Sequence, residues 1–191
     1  MVFTYPDPVP GSRFQLWNQP SNEHSGLLSA WSEAVRDGLF IASDFTVLHP
    51  LELQFIETPG FEYGASLWTA TRIDWWIFAD DDEFPAGQPT DDEDTSLWTF
   101  SSPLFVAGVG SPQGTILLDL EAADAGPPVL EPGRYWLMVM PTFPPEEYPD
   151  AWARFYSTEV EGLTAAGYWP AGNMPSWIRI GGDFALSLYG A

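Results

Sequence analysis

The chain has 191 residues, is 45% hydrophobic, and carries 27 acidic against six basic residues, for a formal net charge of −21. This charge repels phosphate backbones and anionic lipid surfaces, so we expect no nucleic-acid partner. No apolar run approaches about 20 residues, so we expect no membrane insertion. Cysteine is absent, which excludes disulfides, a thiolate nucleophile and a Cys-ligated zinc site.

The N-terminal part of the chain predicts an extended arm followed by a short helix. Residues 1–20 contain four prolines, which favours an extended N-terminal arm with edge-strand character around 14–17. The apolar spacing over residues 27–37 predicts a helix that ends at Gly38. The arm either folds back onto its own domain or pairs with the sheet edge of a neighbouring molecule.

The rest of the chain consists of short alternating runs separated by turn residues, which is typical of β-structure. In the run 51–56, Leu51, Leu53 and Phe55 are expected on one face of a strand and Ile56 on the other. We predict one all-β domain over 1–191, a two-sheet antiparallel β-sandwich of jelly-roll type with at most one short helix. The expected strands are 40–47, 51–56, 72–78, 98–106, 115–121, 134–140, 153–157, 166–169 and 183–189.

The strand that follows Pro132 and Gly133 is apolar on both of its faces. Tyr135, Leu137 and Val139 point to one side. A strand in a two-layer sandwich needs only one apolar face, so the other must be covered by a loop, a ligand or another molecule. Together with the neighbouring strand, it gives a candidate assembly face, formed by Trp76, Phe78, Trp136, Met138 and Met140.

Two acidic stretches form a candidate Ca²⁺ site. Carboxylates at alternate positions of a turning loop can converge on this ion, which takes six to eight oxygen ligands. The spacing is not that of an EF-hand, and the alternative is a solvated acidic loop. The candidate ligands are Asp80, Asp82, Asp91 and Asp92.

The chain contains 10 tryptophans, and exposed indole faces can stack on sugar rings. The alternative is packing in the core, since each aromatic side chain buries about 150–250 Å². Trp152, Trp169 and Trp177 lie in a loop-rich region, where binding residues concentrate. They are the candidate platform for a glycan.

No catalytic motif stands out. His24 and His49 are isolated from each other, and the segment 64–68 lacks the last glycine of a serine-hydrolase elbow. Paired carboxylates for glycoside hydrolysis cannot be selected, because acidic residues are abundant throughout the chain. We therefore expect a protein that is not an enzyme.

Several segments, in order, resemble a β-sandwich module of secreted and surface proteins of bacteria, which occurs beside proteases, adhesins and anchors. Residues 42–47 resemble its A-D-D-F-x-V motif, and 130–137 its L-x-P-G-T-Y-W-L motif. Residues 182–190 resemble its D-L-A-F-R-L-Y-G ending, and 73–78 with 85–87 match between them. The likeness runs from about residue 14 to 190, and it implies a secreted, non-catalytic sandwich. Ser43 replaces the first aspartate of the first motif, which weakens any metal role for Asp44.

These observations lead to three functional expectations. The first is a non-enzymatic extracellular or cell-surface module with a structural role, as a surface-layer or filament subunit or as a packing domain. Its expected partners are further copies of itself or other surface proteins. The second is a carbohydrate-binding module, and the third is a glycoside hydrolase.

Overall fold

A computed structural model describes residues 14–64, 66–90, 95–103, 109–110, 114–147, 152–160, 162–170 and 174–191. These residues form β-strands joined by turns, with a single 3₁₀ helix at Leu67–Thr69. The all-β sandwich predicted from the sequence is confirmed.

Eighteen strands lie within the described residues. They are β1 (Phe14–Gln19), β2 (Ser21–Leu28), β3 (Trp31–Ser32), β4 (Asp37–Gly38), β5 (Phe40–Val47), β6 (Leu51–Thr58), β7 (Gly60–Glu62), β8 (Arg72–Asp81), β9 (Phe84–Pro85), β10 (Trp98–Ser102), β11 (Val109–Gly110), β12 (Thr115–Asp119), β13 (Val129–Leu130), β14 (Gly133–Thr142), β15 (Trp152–Ser157), β16 (Ala166–Trp169), β17 (Met174–Arg179) and β18 (Leu186–Gly190).

Two large sheets face each other, and a small third sheet lies beside them. The larger sheet has the order β10-β8-β14-β5-β16-β17, and the smaller has the order β1-β18-β6-β12-β11. The chain alternates between them, since β5, β8 and β14 belong to one while β6, β12 and β18 belong to the other. The third sheet, β2-β15-β7, adds to the predicted pair.

Strand β14 lies at the centre of the larger sheet, paired antiparallel with β5 and β8. Its residues alternate between two hydrophobic clusters, as predicted. Tyr135, Leu137 and Val139 enter the main core between the two large sheets. That core also receives Ile73, Trp75 and Ile77 from β8, Ile116 and Leu118 from β12, and Leu186 and Leu188 from β18.

The outer side of β14 is covered by the chain itself, so the predicted assembly face is wrong. Trp136, Met138 and Met140 have no exposed surface, and Phe78 is 1% exposed. Only Trp76 is partly accessible. The outer cluster is closed by residues of β3, β5, β9, β16 and β17 and of the loop before β16, namely Trp31, Phe40, Phe84, Leu163, Ala166, Tyr168 and Trp177.

The helix predicted over 27–37 is wrong, because tertiary pairing overrides its local propensity. Trp31 pairs with Thr142 at the end of β14, and its carbonyl oxygen accepts a hydrogen bond of 2.8 Å from the Phe143 N–H. Gly38 is a place of close backbone approach, where a Cβ would collide with the Ala30 carbonyl oxygen.

The alternation predicted for β6 is wrong beyond Leu53. Opposite it, Tyr189 pairs with Phe55 and Gly190 with Leu53, so β6 contains an extra residue at Gln54. A bulge of this kind shifts the following side chains to the other face. Ile56 is therefore fully buried in the main core, while Phe55 is partly exposed.

The described part of the N-terminal arm pairs with its own sheet. β1 runs antiparallel to β18 from Phe14 opposite Gly190 to Gln19 opposite Leu186. Residues 1–13 lie outside the described residues. Strand β1 forms an edge of the smaller sheet, as its proline-rich context predicted.

Candidate functional site

A row of aromatic side chains crosses the outer face of the larger sheet. Phe40 lies at its centre, with ring centroids 6.4 Å from Trp76 and 5.8 Å from Tyr168. Tyr168 in turn lies 5.5 Å from Trp177, and Trp31 lies 5.2 Å from Phe40. We call these five residues the aromatic row.

Strand pairing places the row across five neighbouring strands. Trp76 of β8 is opposite Met138 of β14, and Tyr168 of β16 is opposite Phe40 of β5. Trp177 belongs to β17, at the far edge of the sheet. Met138 pairs with Ala42, two residues from Phe40, so the row crosses the sheet obliquely from β8 to β17, and β14 contributes no ring to it.

The row has a buried middle and partly exposed ends. Phe40 and Tyr168 are 3% and 5% exposed, whereas Trp31, Trp76 and Trp177 are only half-buried. The Trp177 indole N–H donates a hydrogen bond of 2.7 Å to the Gly87 carbonyl oxygen. This bond fixes the orientation of a ring that remains partly open to solvent.

Of the three tryptophans proposed from the sequence as a sugar platform, one is in the core. Trp152 has no exposed surface, and its N–H donates to the Gly114 carbonyl oxygen at 2.6 Å, so this assignment is wrong. Trp177 ends the aromatic row. Trp169 is 38% exposed, and its N–H donates to Asp37 Oδ1 at 2.5 Å.

Polar side chains lie beside Trp76 at the start of β8. The Arg72 Nε donates to both carboxylate oxygens of Asp74, at 3.1 and 2.8 Å, and its Nη1 pairs with Glu33. Ser101 of the neighbouring strand also hydrogen-bonds to Asp74. Charged side chains and the Ser101 hydroxyl therefore lie on the strands that form the Trp76 end of the row.

Sequence reasoning missed Trp31 and Phe40 as members of this surface. Trp31 was assigned to a helix, and its true place depends on its pairing with Thr142, which is distant in the chain. Phe40 was recognised as part of a strand, but its outward direction depends on which sheet β5 joins. Neither the pairing of Trp31 nor the outward direction of Phe40 can be predicted from the neighbouring residues in the sequence.

Of the proposed Ca²⁺ ligands, the structure describes Asp80 and Asp82, and their surroundings differ. Asp80 Oδ1 accepts a hydrogen bond of 2.8 Å from the Trp136 indole N–H, while Asp82 is exposed in a turn with φ of 50°. Asp91 and Asp92 lie outside the described residues. Within the described segments, no three His, Asp or Glu side chains are grouped as metal ligands.

Two acidic side chains, Asp44 and Asp183, are buried in the protein. Asp44 and Asp183 are 0% and 1% exposed, and burial raises the pKa of Asp44 to about 6 and of Asp183 to about 7. The Leu163 N–H donates to both Asp44 oxygens, at 3.2 and 3.1 Å. Buried Arg154 lowers the pKa of Asp183, but less than desolvation raises it. Both acids are therefore enclosed by the protein.

An apolar groove of about 610 Å³ opens at one end of the sandwich. Its rim carries Phe14 and Leu48, which are 71% and 75% exposed. Residues of β1, β5, β6, β18, the β5–β6 loop and the chain end line it, including Leu16, Trp17, Val47, Pro50, Leu51 and Leu188. His49 also lines this groove.

Comparison with protein-family models and with curated proteins found no match to this chain. In the part of the chain that the structure describes, no helix has the length and apolar character needed to cross a membrane.

Proposed function

We propose that this chain is a non-enzymatic extracellular module with a structural role, which acts through contact with further copies of itself. The groove that Phe14 and Leu48 flank carries this proposal. Two large apolar side chains beside a concave apolar surface are typical of a protein interaction site. The groove and these two side chains, and not the buried face of β14, form the proposed assembly surface.

Two further observations support a structural role. The acids with the most perturbed pKa values, Asp44 and Asp183, are enclosed in the protein, which favours a scaffold over a hydrolase. The sequence segments that resemble a secreted bacterial sandwich module support an extracellular location. A charge of −21 opposes the approach of two copies, so self-association should strengthen as salt screens it.

Light scattering over a range of protein concentrations, at low and high salt, tests this proposal. We expect the mean mass of the unaltered protein to rise with concentration, more strongly at high salt. Leu48→Asp places a charge on the groove rim and should abolish the rise. Val160→Asp is the control, because Val160 is 55% exposed in a loop outside the groove. A constant monomer mass under every condition would contradict self-association.

A further inference from the structure

We propose that the aromatic row on the outer face of the larger sheet is a binding site for a neutral carbohydrate chain. The half-buried rings of Trp31, Trp76 and Trp177 would stack on sugar faces, and the polar groups beside Trp76 would bind hydroxyls. This inference goes beyond the structural role and uses a different surface from the groove.

The shape of the row suits a linear ligand. It crosses five strands, which at a spacing of about 4.8 Å between strands gives a length of about 19 Å. This length exceeds that of one sugar ring. Phe40 and Tyr168 in the middle are 3% and 5% exposed, so a ligand would contact the partly exposed rings of Trp31, Trp76 and Trp177. A glycan of several sugar units is therefore long enough to contact more than one of these three tryptophans.

The rings are held before any ligand arrives. Trp177 is fixed by its hydrogen bond to Gly87, and Tyr168 by one of 2.8 Å between its hydroxyl and Thr90. Phe40 packs between Tyr168 and Trp76, so the middle of the row is rigid. Pre-positioned aromatic rings lose little conformational entropy on binding, which favours affinity.

Hydrogen-bonding groups lie on the same face of β8 as Trp76, since Arg72 and Asp74 precede it by four and two residues. Glu33 is exposed, and Arg72 is partly exposed between Glu33 and Asp74. Carboxylates accept hydrogen bonds from hydroxyl groups, and a guanidinium donates hydrogen bonds to hydroxyl oxygens. Aromatic stacking with lateral polar contacts is the combination that a polyhydroxylated ring requires.

The charge of the chain selects among ligands. A net charge of −21 disfavours sulfated or uronic-acid glycans and nucleic acids, all of which are anionic. Neutral hexose or N-acetylhexosamine chains carry no such penalty. We therefore assign the site to neutral glycans.

Titration with cellohexaose, mannohexaose, xylohexaose and chitohexaose tests the assignment, with affinity measured by calorimetry. We expect at least one hexasaccharide to bind the unaltered protein. Trp76→Ala and Trp177→Ala should each weaken that binding by at least about tenfold, as expected for an aromatic anchor. Trp177→Phe keeps a ring and should retain more affinity than Trp177→Ala.

Trp68→Ala is the matched control. Trp68 is 59% exposed on the 3₁₀ helix, and it is not part of the outer cluster. Its loss should leave binding unchanged. Because Trp177→Ala also removes a hydrogen bond, the folded state of each variant is checked by near-UV circular dichroism.

A measurement on the unaltered protein covers the case in which a variant fails to fold. In ¹⁵N spectra, the indole signals of Trp31, Trp76 and Trp177 should shift on addition of the hexasaccharide, while that of buried Trp152 should not. Absence of binding to all four sugars overturns the proposal. So does binding that shifts none of these three signals or that Trp68→Ala weakens equally. Leu48→Asp should bind sugar normally, so self-association and glycan binding can fail separately.

Discussion

The indole N–H of Trp136 donates a hydrogen bond of 2.8 Å to Oδ1 of Asp80, linking the centre of β14 to the end of β8. The guanidinium of Arg179 lies 5.2 Å from the Trp136 ring centroid. A fully buried indole nitrogen therefore has its partner within the chain. The hydrogen bond satisfies the polar atom of Trp136, while other residues of the chain cover the apolar outer side of β14.

Replacing Asp80 with alanine should destabilise the protein by about 1–3 kcal/mol, because the buried Trp136 N–H would lose its acceptor. Asp80→Asn keeps an acceptor oxygen and should cost less. Asp81→Ala is the control, since Asp81 is exposed beside it on β8. Urea unfolding of the three variants measures these differences. Equal stability of Asp80→Ala and Asp81→Ala would show that the hydrogen bond contributes nothing.

Stability should fall as the pH rises from about 4 to about 7. Desolvation raises the pKa of Asp44 from 3.8 to about 6, and that of Asp183 from 3.8 to about 7. Across this window the folded protein binds more protons than the unfolded chain, so raising the pH favours unfolding. The stabilisation is complete below the unfolded pKa and is lost as the pH passes the folded pKa values.

Asp183→Asn isolates this effect, because asparagine does not titrate. Between pH 4 and pH 8 the unaltered protein should lose about 2–4 kcal/mol more unfolding free energy than Asp183→Asn, at about 1.4 kcal/mol per pKa unit. Urea unfolding at several pH values makes the comparison. A difference of the opposite sign would mean that Asp183 is ionised and stabilised by Arg154.

Gly162 should not tolerate a side chain. Its φ is +85°, and an added Cβ would lie 2.5 Å from Asp44 Oδ2. Gly126 has φ of +62° with nothing within 4 Å of an added Cβ, so it is a matched control for the backbone penalty alone. Thermal and urea unfolding should show a cost of about 1–2 kcal/mol for Gly126→Ala. Gly162→Ala should cost about 1–3 kcal/mol more; equal costs would show that the loop relaxes freely.

Local pattern was enough to predict much of the β-structure. The strand 40–47 was predicted with the bounds of β5, and 166–169 with those of β16. The alternation of apolar residues around Leu137 gave both faces of β14 correctly, because a period of two follows directly from strand geometry.

Long-range pairing was not predictable in the same way. The segment around Trp31 has helical spacing, but its partner Thr142 is far along the chain. The extra residue at Gln54 reverses the faces of β6 and has no glycine or proline to announce it. The same limit applies to the candidate site, since Trp152 and Trp177 look alike in sequence but differ in burial.

Strand β14 is packed on both faces by the chain itself, and the pair Leu137→Ala and Met138→Ala tests this packing one face at a time. Both side chains are fully buried, on opposite sides of the strand. We predict that each substitution lowers the unfolding free energy by about 2–5 kcal/mol, while Val129→Ala, at a position 65% exposed, changes it by less than about 0.5 kcal/mol. A full cost for Leu137→Ala with a negligible one for Met138→Ala would contradict the claim.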